Sequence, residues 1–189
     1  MRIDRSFDWL GRFPLAVDLA DTVRLVQDEE VELLIDEAAL ANWVEAEHPR
    51  FPSVGAAVGR LRMVLELRDS VRAVLVAHAS GHSLPRRNLD LLNEASARCP
   101  SYRTIDTDGT PVIVELADDP FDIFRAQVAR STFELLEQRP VTLSVCTAPS
   151  CGMLFVPESR RQRWCSSRCG NRARVARHAL RTARGGTSH

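Results

Sequence analysis

The stretch Cys146-Thr-Ala-Pro-Ser-Cys151, followed by Met153-Leu-Phe-Val-Pro157 and then Arg163-Trp164-Cys165-Ser-Ser-Arg-Cys169, decides how the rest of this chain is read. Its four cysteines are spaced C-x4-C-x13-C-x3-C, two pairs flanking a segment the length of a hairpin. In a reducing compartment, clustered pairs of this kind read as metal ligands before they read as disulfides. Four thiolates at about 2.3 Å complete a tetrahedral shell around zinc and leave no position for water or substrate. One structural Zn2+ held by Cys146, Cys151, Cys165 and Cys169 is therefore expected, and zinc-dependent hydrolysis is not. The fifth cysteine, Cys99, stands apart and reads as a buried or idle thiol.

The residues between and beyond the pairs describe the module. Met153 to Pro157 is short, apolar and strand-like, Glu158-Ser-Arg-Arg-Gln162 turns, and Arg163-Trp164 leads back to Cys165, which makes a hairpin. Ser166 or Ser167 caps a helix beginning near Arg168, and Ala173, Val175, Ala176, Ala179 and Leu180 sustain it to Gly185-Gly186. Cys169 then falls in the first turn, where the helix dipole favours a thiolate. Knuckle, hairpin and ligand-bearing helix form a treble-clef-like arrangement.

Cys169-Gly-Asn-Arg172, preceded by Cys146-x4-Cys151, Leu154-Phe155 and the basic run Arg160-Arg161-Gln-Arg163-Trp164-Cys165-Ser166, and followed by Ala173-Arg174, resembles the CGNR-type zinc finger. That family joins its finger to a helical N-terminal domain called ABATE, associated with stress-induced transcription regulation. The chain is similar there too, through Pro14-Leu-Ala-Val-Asp18-Leu-Ala-Asp-Thr22, Leu40-x-x-Trp43, Leu67-Arg68 and Leu92-Asn93 in the same order. It departs from the resemblance at Asp21, where the family has Asn before the Thr. The resemblance implies a regulator that binds zinc.

The charge agrees with a division of labour. The 189 residues hold 25 basic and 25 acidic side chains, so the total is neutral. Residues 1–139 nevertheless carry 16 Arg against 24 acids, a balance of minus 8, while residues 140–189 carry 9 Arg against the single acid Glu158, a balance of plus 8. We therefore expect an acidic domain over 1–139 and a basic finger over 140–189. Every basic residue is Arg, which a compositional bias of the genome explains as readily as a function does. Arg also offers the planar bidentate recognition of phosphate and guanine that Lys does not.

On the C-terminal helix Arg174, Arg177, Arg181 and Arg184 fall within an arc of about 80°. Val175, Ala176 and Ala179 lie opposite, where the hairpin and knuckle are expected to sit. Arg168 and Arg172 share that inner side, and with Asn171 they are expected to stabilise the finger through hairpin carbonyls or thiolate sulfurs. Arg160, Arg161 and Arg163 add a second basic element on the hairpin. The usual i to i+4 acidic partners of a solvated helix are missing, so these seven outer arginines are candidates for nucleic-acid contact. Duplex DNA is the expected partner. An RNA-binding or protein-interaction adaptor with a purely structural zinc finger is the alternative, since an Arg row serves either phosphate backbone.

Residues 1–139 read as mainly helical, with helices over 14–27, 37–47 capped by Asp36, 54–80, 86–98 and 120–138. One hairpin interrupts them, pairing 102–106 with 111–116 around Asp108-Gly109, whose positive φ angles suit a tight turn. The fold class is thus mainly α, with one hairpin in the N-terminal domain and a small treble-clef-like finger. No catalytic set emerges, so a non-enzyme is expected. His78 and His82 lack a third ligand and read as surface histidines, Asp118-Asp119 reads as a helix cap, and Asp28-Glu29-Glu30 reads as a solvated acidic run. Gly55 and Gly59 lack the strand and third glycine of a dinucleotide site. Charged residues interrupt every apolar run and no secretory leader is recognisable, so no membrane association and a cytoplasmic location are expected. A small-molecule effector of the N-terminal domain and a homodimer are further expected partners. The opposed charges also suggest that the acidic domain docks on the Arg row, within one chain or between subunits, and masks it.

Overall fold

The computed structural model describes residues 7, 10–26, 29–138 and 143–185. The chain opens with α1 (Leu15–Ala20), six residues that are all buried. Helix α1 stops where Asp21 N–H bonds the Val17 carbonyl and the Thr22 hydroxyl donates to the Leu19 carbonyl at 2.8 Å. The β-branched, alternating run that follows forms β1 (Val23–Val26), antiparallel to β2 (Glu29–Glu32) with Arg24 opposite Val31. This corrects the expected helix over 14–27, and Glu29-Glu30 belongs to a strand, albeit an exposed one. Arg68 holds the hairpin. The residue is 3% exposed, and its guanidinium bonds both Glu32 carboxylate oxygens at 3.0 and 2.7 Å and donates to Thr22 Oγ1.

Helix α2 (Glu37–Glu47) begins at Asp36, whose carboxylate accepts from Ala39 N–H at 2.7 Å. The expected helix over 54–80 is divided. A 3-10 turn covers Pro52–Ala57, Gly59 takes φ +78°, and α3 runs over Leu61–Ala79. The division point is set from outside the segment, because the two Glu37 carboxylate oxygens accept from Gly59 N–H and Leu61 N–H, each at 3.0 Å. Then come α4 (Arg86–Ala97), β3 (Ser101–Ile105) paired with β4 (Pro111–Glu115), and α5 (Pro120–Glu137), capped by Asp119 through Phe121 N–H at 2.9 Å. In the β3–β4 turn only Gly109 has positive φ, +81°, and Asp106 Oδ1 accepts from both Asp108 N–H and Thr110 N–H, so Asp108 does not take the left-handed conformation expected of it.

The chain is mainly helical with small hairpins, as expected, but its N-terminal part carries two hairpins, not one. Leu15, Leu19, Trp43, Val71, Leu75, Leu92, Phe121 and Phe124 make the central core, with Trp43 edge-on to Phe124 at 6.5 Å, so Trp43 packs the interior. Cys99 is buried as well, its thiol 3.2 Å from Glu115 Oε2. No described helix is long and apolar enough to cross a membrane.

The C-terminal part adds β5 (Ser144–Val145), β6 (Leu154–Phe155) and α6 (Ser167–Gly185), and β6 pairs antiparallel with β5, Ser144 opposite Phe155, around the first cysteine pair and not with Arg163-Trp164 as expected, because residues 158–164 form turns. Its hairpin enters the same core, since Leu143 and Leu154 are buried in the cluster that holds Trp43. Two hydrogen bonds fix the junction. Asp21 Oδ1 accepts from Leu154 N–H at 2.9 Å, and Leu25 N–H donates to the Cys151 carbonyl at 3.3 Å. Phe13 packs against both this core and the smaller one around the cysteines. The expected boundary before Pro140 and the strand expected from Pro140 lie partly outside the described residues, which resume at Leu143.

Candidate metal centre and basic face

The four cysteines converge because three local devices bend the chain around them. Ser150 and Gly152 both have left-handed backbone, φ +55° and +63°, and wrap the first knuckle about Cys151. A Cβ on Gly152 would lie 2.6 Å from Leu25 Cδ1, so the knuckle is also where the finger meets β1. Gln162 clamps the turn: its Oε1 accepts from Glu158 N–H at 2.8 Å and its Nε2 donates to the Trp164 carbonyl at 3.0 Å. Ser166 Oγ accepts from Cys169 N–H at 3.3 Å, which caps α6 and sets Cys169 in its first turn.

The sulfur atoms of Cys146, Cys151, Cys165 and Cys169 all lie within 4.8 Å of one another. Cys151 and Cys165 are 3.7 Å apart, Cys165 and Cys169 3.5 Å, and Cys151 and Cys169 3.6 Å. A tetrahedron with metal–sulfur bonds of about 2.3 Å has edges of about 3.8 Å. The cluster therefore fits zinc in size and donor chemistry, as one closed site. Four thiols this close do not all ionise by themselves. The Cys146 thiol is pushed down to about 2 by hydrogen bonds from Cys151 and Cys165, and the same bonds push Cys151 up to about 12 and Cys165 higher still. A divalent cation among them removes that conflict, since each thiolate then faces positive charge. Two N–H groups support the sulfurs: Cys165 N–H points at Cys146 Sγ at 3.4 Å, and Arg172 Nη2 at Cys169 Sγ at 3.3 Å.

The phase of α6 differs from the expected one. Cys169, Gly170 and Ala173 are its buried residues, with Gly170 against Trp164, where an added Cβ would meet the ring at 3.2 Å. Val175 is 69% exposed and Leu180 62%, so they do not pack on the hairpin. The metal ligand and the Trp164 ring, not the best apolar stripe, determine which side turns inward. Trp164 is the main residue the sequence reading passed over; its place beside Cys165 was the available signal.

Of the arginines proposed for nucleic acid, Arg160, Arg161, Arg163, Arg174, Arg177 and Arg181 are exposed, and none pairs with a carboxylate among the described residues. Arg177 is tied to the finger itself, its guanidinium over Trp164 at 5.8 Å and its Nε 3.3 Å from the Ala173 carbonyl. Arg174 donates to Asn171 Oδ1. Asn171 thus bonds along the helix and not to the hairpin, and Arg168 is exposed with no hydrogen bond among the described residues. The side chain of Arg184 lies outside the described set. The acidic domain meets the finger at the hairpin, so within one chain it leaves Arg174, Arg177 and Arg181 uncovered, contrary to the masking expected there.

Comparison with known families agrees with this geometry. The family model ABATE, described as "Putative stress-induced transcription regulator", matches residues 14–139. The CGNR zinc finger model matches residues 142–182. No curated protein gives a significant match.

Proposed function

The chain belongs to the ABATE family and carries a CGNR zinc finger, and from that premise we propose that it is a zinc-dependent, DNA-binding transcriptional regulator. The basic finger of residues 140–189 contacts duplex DNA, and the acidic domain of residues 1–139 senses a signal or dimerises. The observation that carries the reading is the exposed basic surface of the finger: Arg160, Arg161 and Arg163 on the turn and Arg174 and Arg181 on α6, all without carboxylate partners among the described residues. Zinc organises that surface, because the ligand Cys169 sets the start and phase of α6 while Cys165 anchors the end of the turn. Arg172, beside Cys169 Sγ, acts as a finger-stabilising residue in this scheme, and Asn171 takes that role only through its bond to Arg174 on α6.

Fluorescence anisotropy of a random-sequence duplex, titrated with zinc-loaded protein at several salt concentrations, tests this. Six neutralised phosphates correspond to a log-log salt slope of roughly −5, and chelation of zinc should abolish binding. Retention of the duplex after chelation, or no binding at low salt, would count against the proposal.

A further inference from the structure

The exposed side of α6 carries more than positive charge. Arg174, Val175, Arg177, His178 and Arg181 line one shallow groove along it, with Asn171 and Thr182 exposed on the same side. Among these residues no acid appears. Arg suits the guanine edge, Asn the adenine edge, and an apolar group the 5-methyl of thymine. A surface meant only for phosphates needs no apolar residue within its Arg row, yet Val175 is 69% exposed there.

The shape points the same way. Helix α6 spans 19 residues, and among its described side chains only those of the first turns are packed against the finger, leaving a rod about 10–12 Å across free on its basic side. The major groove of B-form DNA is about 12 Å wide and admits such a helix. The major groove of A-form RNA is too deep and narrow for side chains to read. The turn between β6 and α6, with Arg160, Arg161 and Arg163 exposed, is then available to a flanking phosphate strand.

Resting on the DNA-binding reading above, we infer that α6 is a major-groove reading helix, so that the partner is sequence-specific B-form DNA and Val175 and His178 are specificity-determining residues. Val175 meets a thymine methyl, His178 a neighbouring base edge, and Arg174 and Arg181 flank them on guanine or phosphate.

The test begins with selection of binding sites by the full-length, zinc-loaded protein from a randomised duplex library. The enriched duplex is then compared with the same duplex carrying deoxyuridine for thymine, which removes only the methyl groups, and with duplex RNA of that sequence. The expected result is an enriched site containing thymine, a loss of about fourfold on replacing the contacted thymine, the value of one buried methyl, and no comparable RNA binding. Val175→Ala should bind the thymine and uracil duplexes equally, and His178→Ala should relax the preference at an adjacent position, while both retain the wild-type salt slope. Duplex binding with no enrichment, or equal binding of thymine and uracil duplexes by the wild type, overturns this inference and leaves DNA binding standing. Absence of any DNA binding overturns both.

Discussion

At the scale of single residues, the buried acids do most to distinguish this chain. Asp21 is fully buried, accepts from Leu154 N–H at 2.9 Å and lies 3.6 Å from Arg72 Nη1. Burial pushes its carboxyl well above the usual carboxylate range, and the Leu154 hydrogen bond works against that. An Asn carbonyl, the group expected at this position from the family resemblance, accepts the same N–H without a buried charge. Asp21→Asn should therefore change stability by less than about 1 kcal/mol, whereas Asp21→Ala strands the Leu154 donor and should lose roughly 1–3 kcal/mol in denaturant unfolding.

Asp18 and Glu47 form a second buried set, both bonded to Arg50 Nη1, at 2.8 and 3.1 Å. Burial pushes Asp18 from 3.8 up to about 7, opposed by the Arg50 hydrogen bond and reinforced by the Glu47 charge. The folded value lies above the unfolded one, so the folded protein holds the extra proton between those limits. The resulting stability is complete below about pH 4 and is lost as pH rises through about 7. Urea unfolding across pH 4–8 should show wild-type stability falling relative to Asp18→Asn, with a slope that approaches about 1.4 kcal/mol per pH unit. Parallel pH profiles for the two proteins would mean that this carboxyl is ionised throughout.

At the scale of elements, the sequence is most legible where the deciding interactions are local. Asp36 and Asp119 cap α2 and α5 from the adjacent residue, and those helices begin where capping chemistry places them. The start of α3 is decided instead by Glu37, 22 residues away from Gly59. No pattern within 54–80 reveals it. Glu37→Ala should remove both acceptors and lower stability by about 1 kcal/mol, the ordinary value of a helix cap, measurable as a reduced urea midpoint with unchanged slope. The β1–β2 hairpin was hidden for a similar reason. The apolar spacing of α1 continues into Val23 and Val26, and Arg68, bonded to Glu32 from α3, holds the chain as a strand. The run Val23-Arg-Leu-Val26, β-branched and alternating, was the only local hint.

At the scale of the whole molecule, finger and helical domain behave as one packed body at their junction. Leu143 and Leu154 share a core with Trp43, and Leu25 contributes a backbone donor to the carbonyl of the ligand Cys151. Zinc removal should therefore reach beyond the finger. Thermal unfolding followed by the helical signal should show a lower Tm for chelated than for zinc-loaded protein, because loss of the metal frees a hairpin that the central core uses. An unchanged helical transition would show that the core closes over Leu154 without the metal. The same junction accounts for the open Arg row: the acidic domain is engaged at the hairpin, on another side of the finger from the exposed face of α6.

The sequence by itself determined the ligand set, a short strand between the cysteine pairs, the capped helix that follows, the mainly helical class and the separation of charge. All of these rest on spacing, capping or composition, properties of neighbours along the chain. Only the tertiary structure decided which face of α6 turns inward, where α3 begins, that Val23–Val26 is a strand and that Asp21 holds the finger's Leu154. Each of these depends on a partner distant in sequence, Glu37 for Gly59, Arg68 for Glu32, Asp21 for Leu154, or on the metal ligand Cys169 directing a helix against its own apolar stripe. A buried hydrogen bond or metal ligand left unsatisfied is more costly than an exposed Val175, so the long-range contacts prevail over the local pattern.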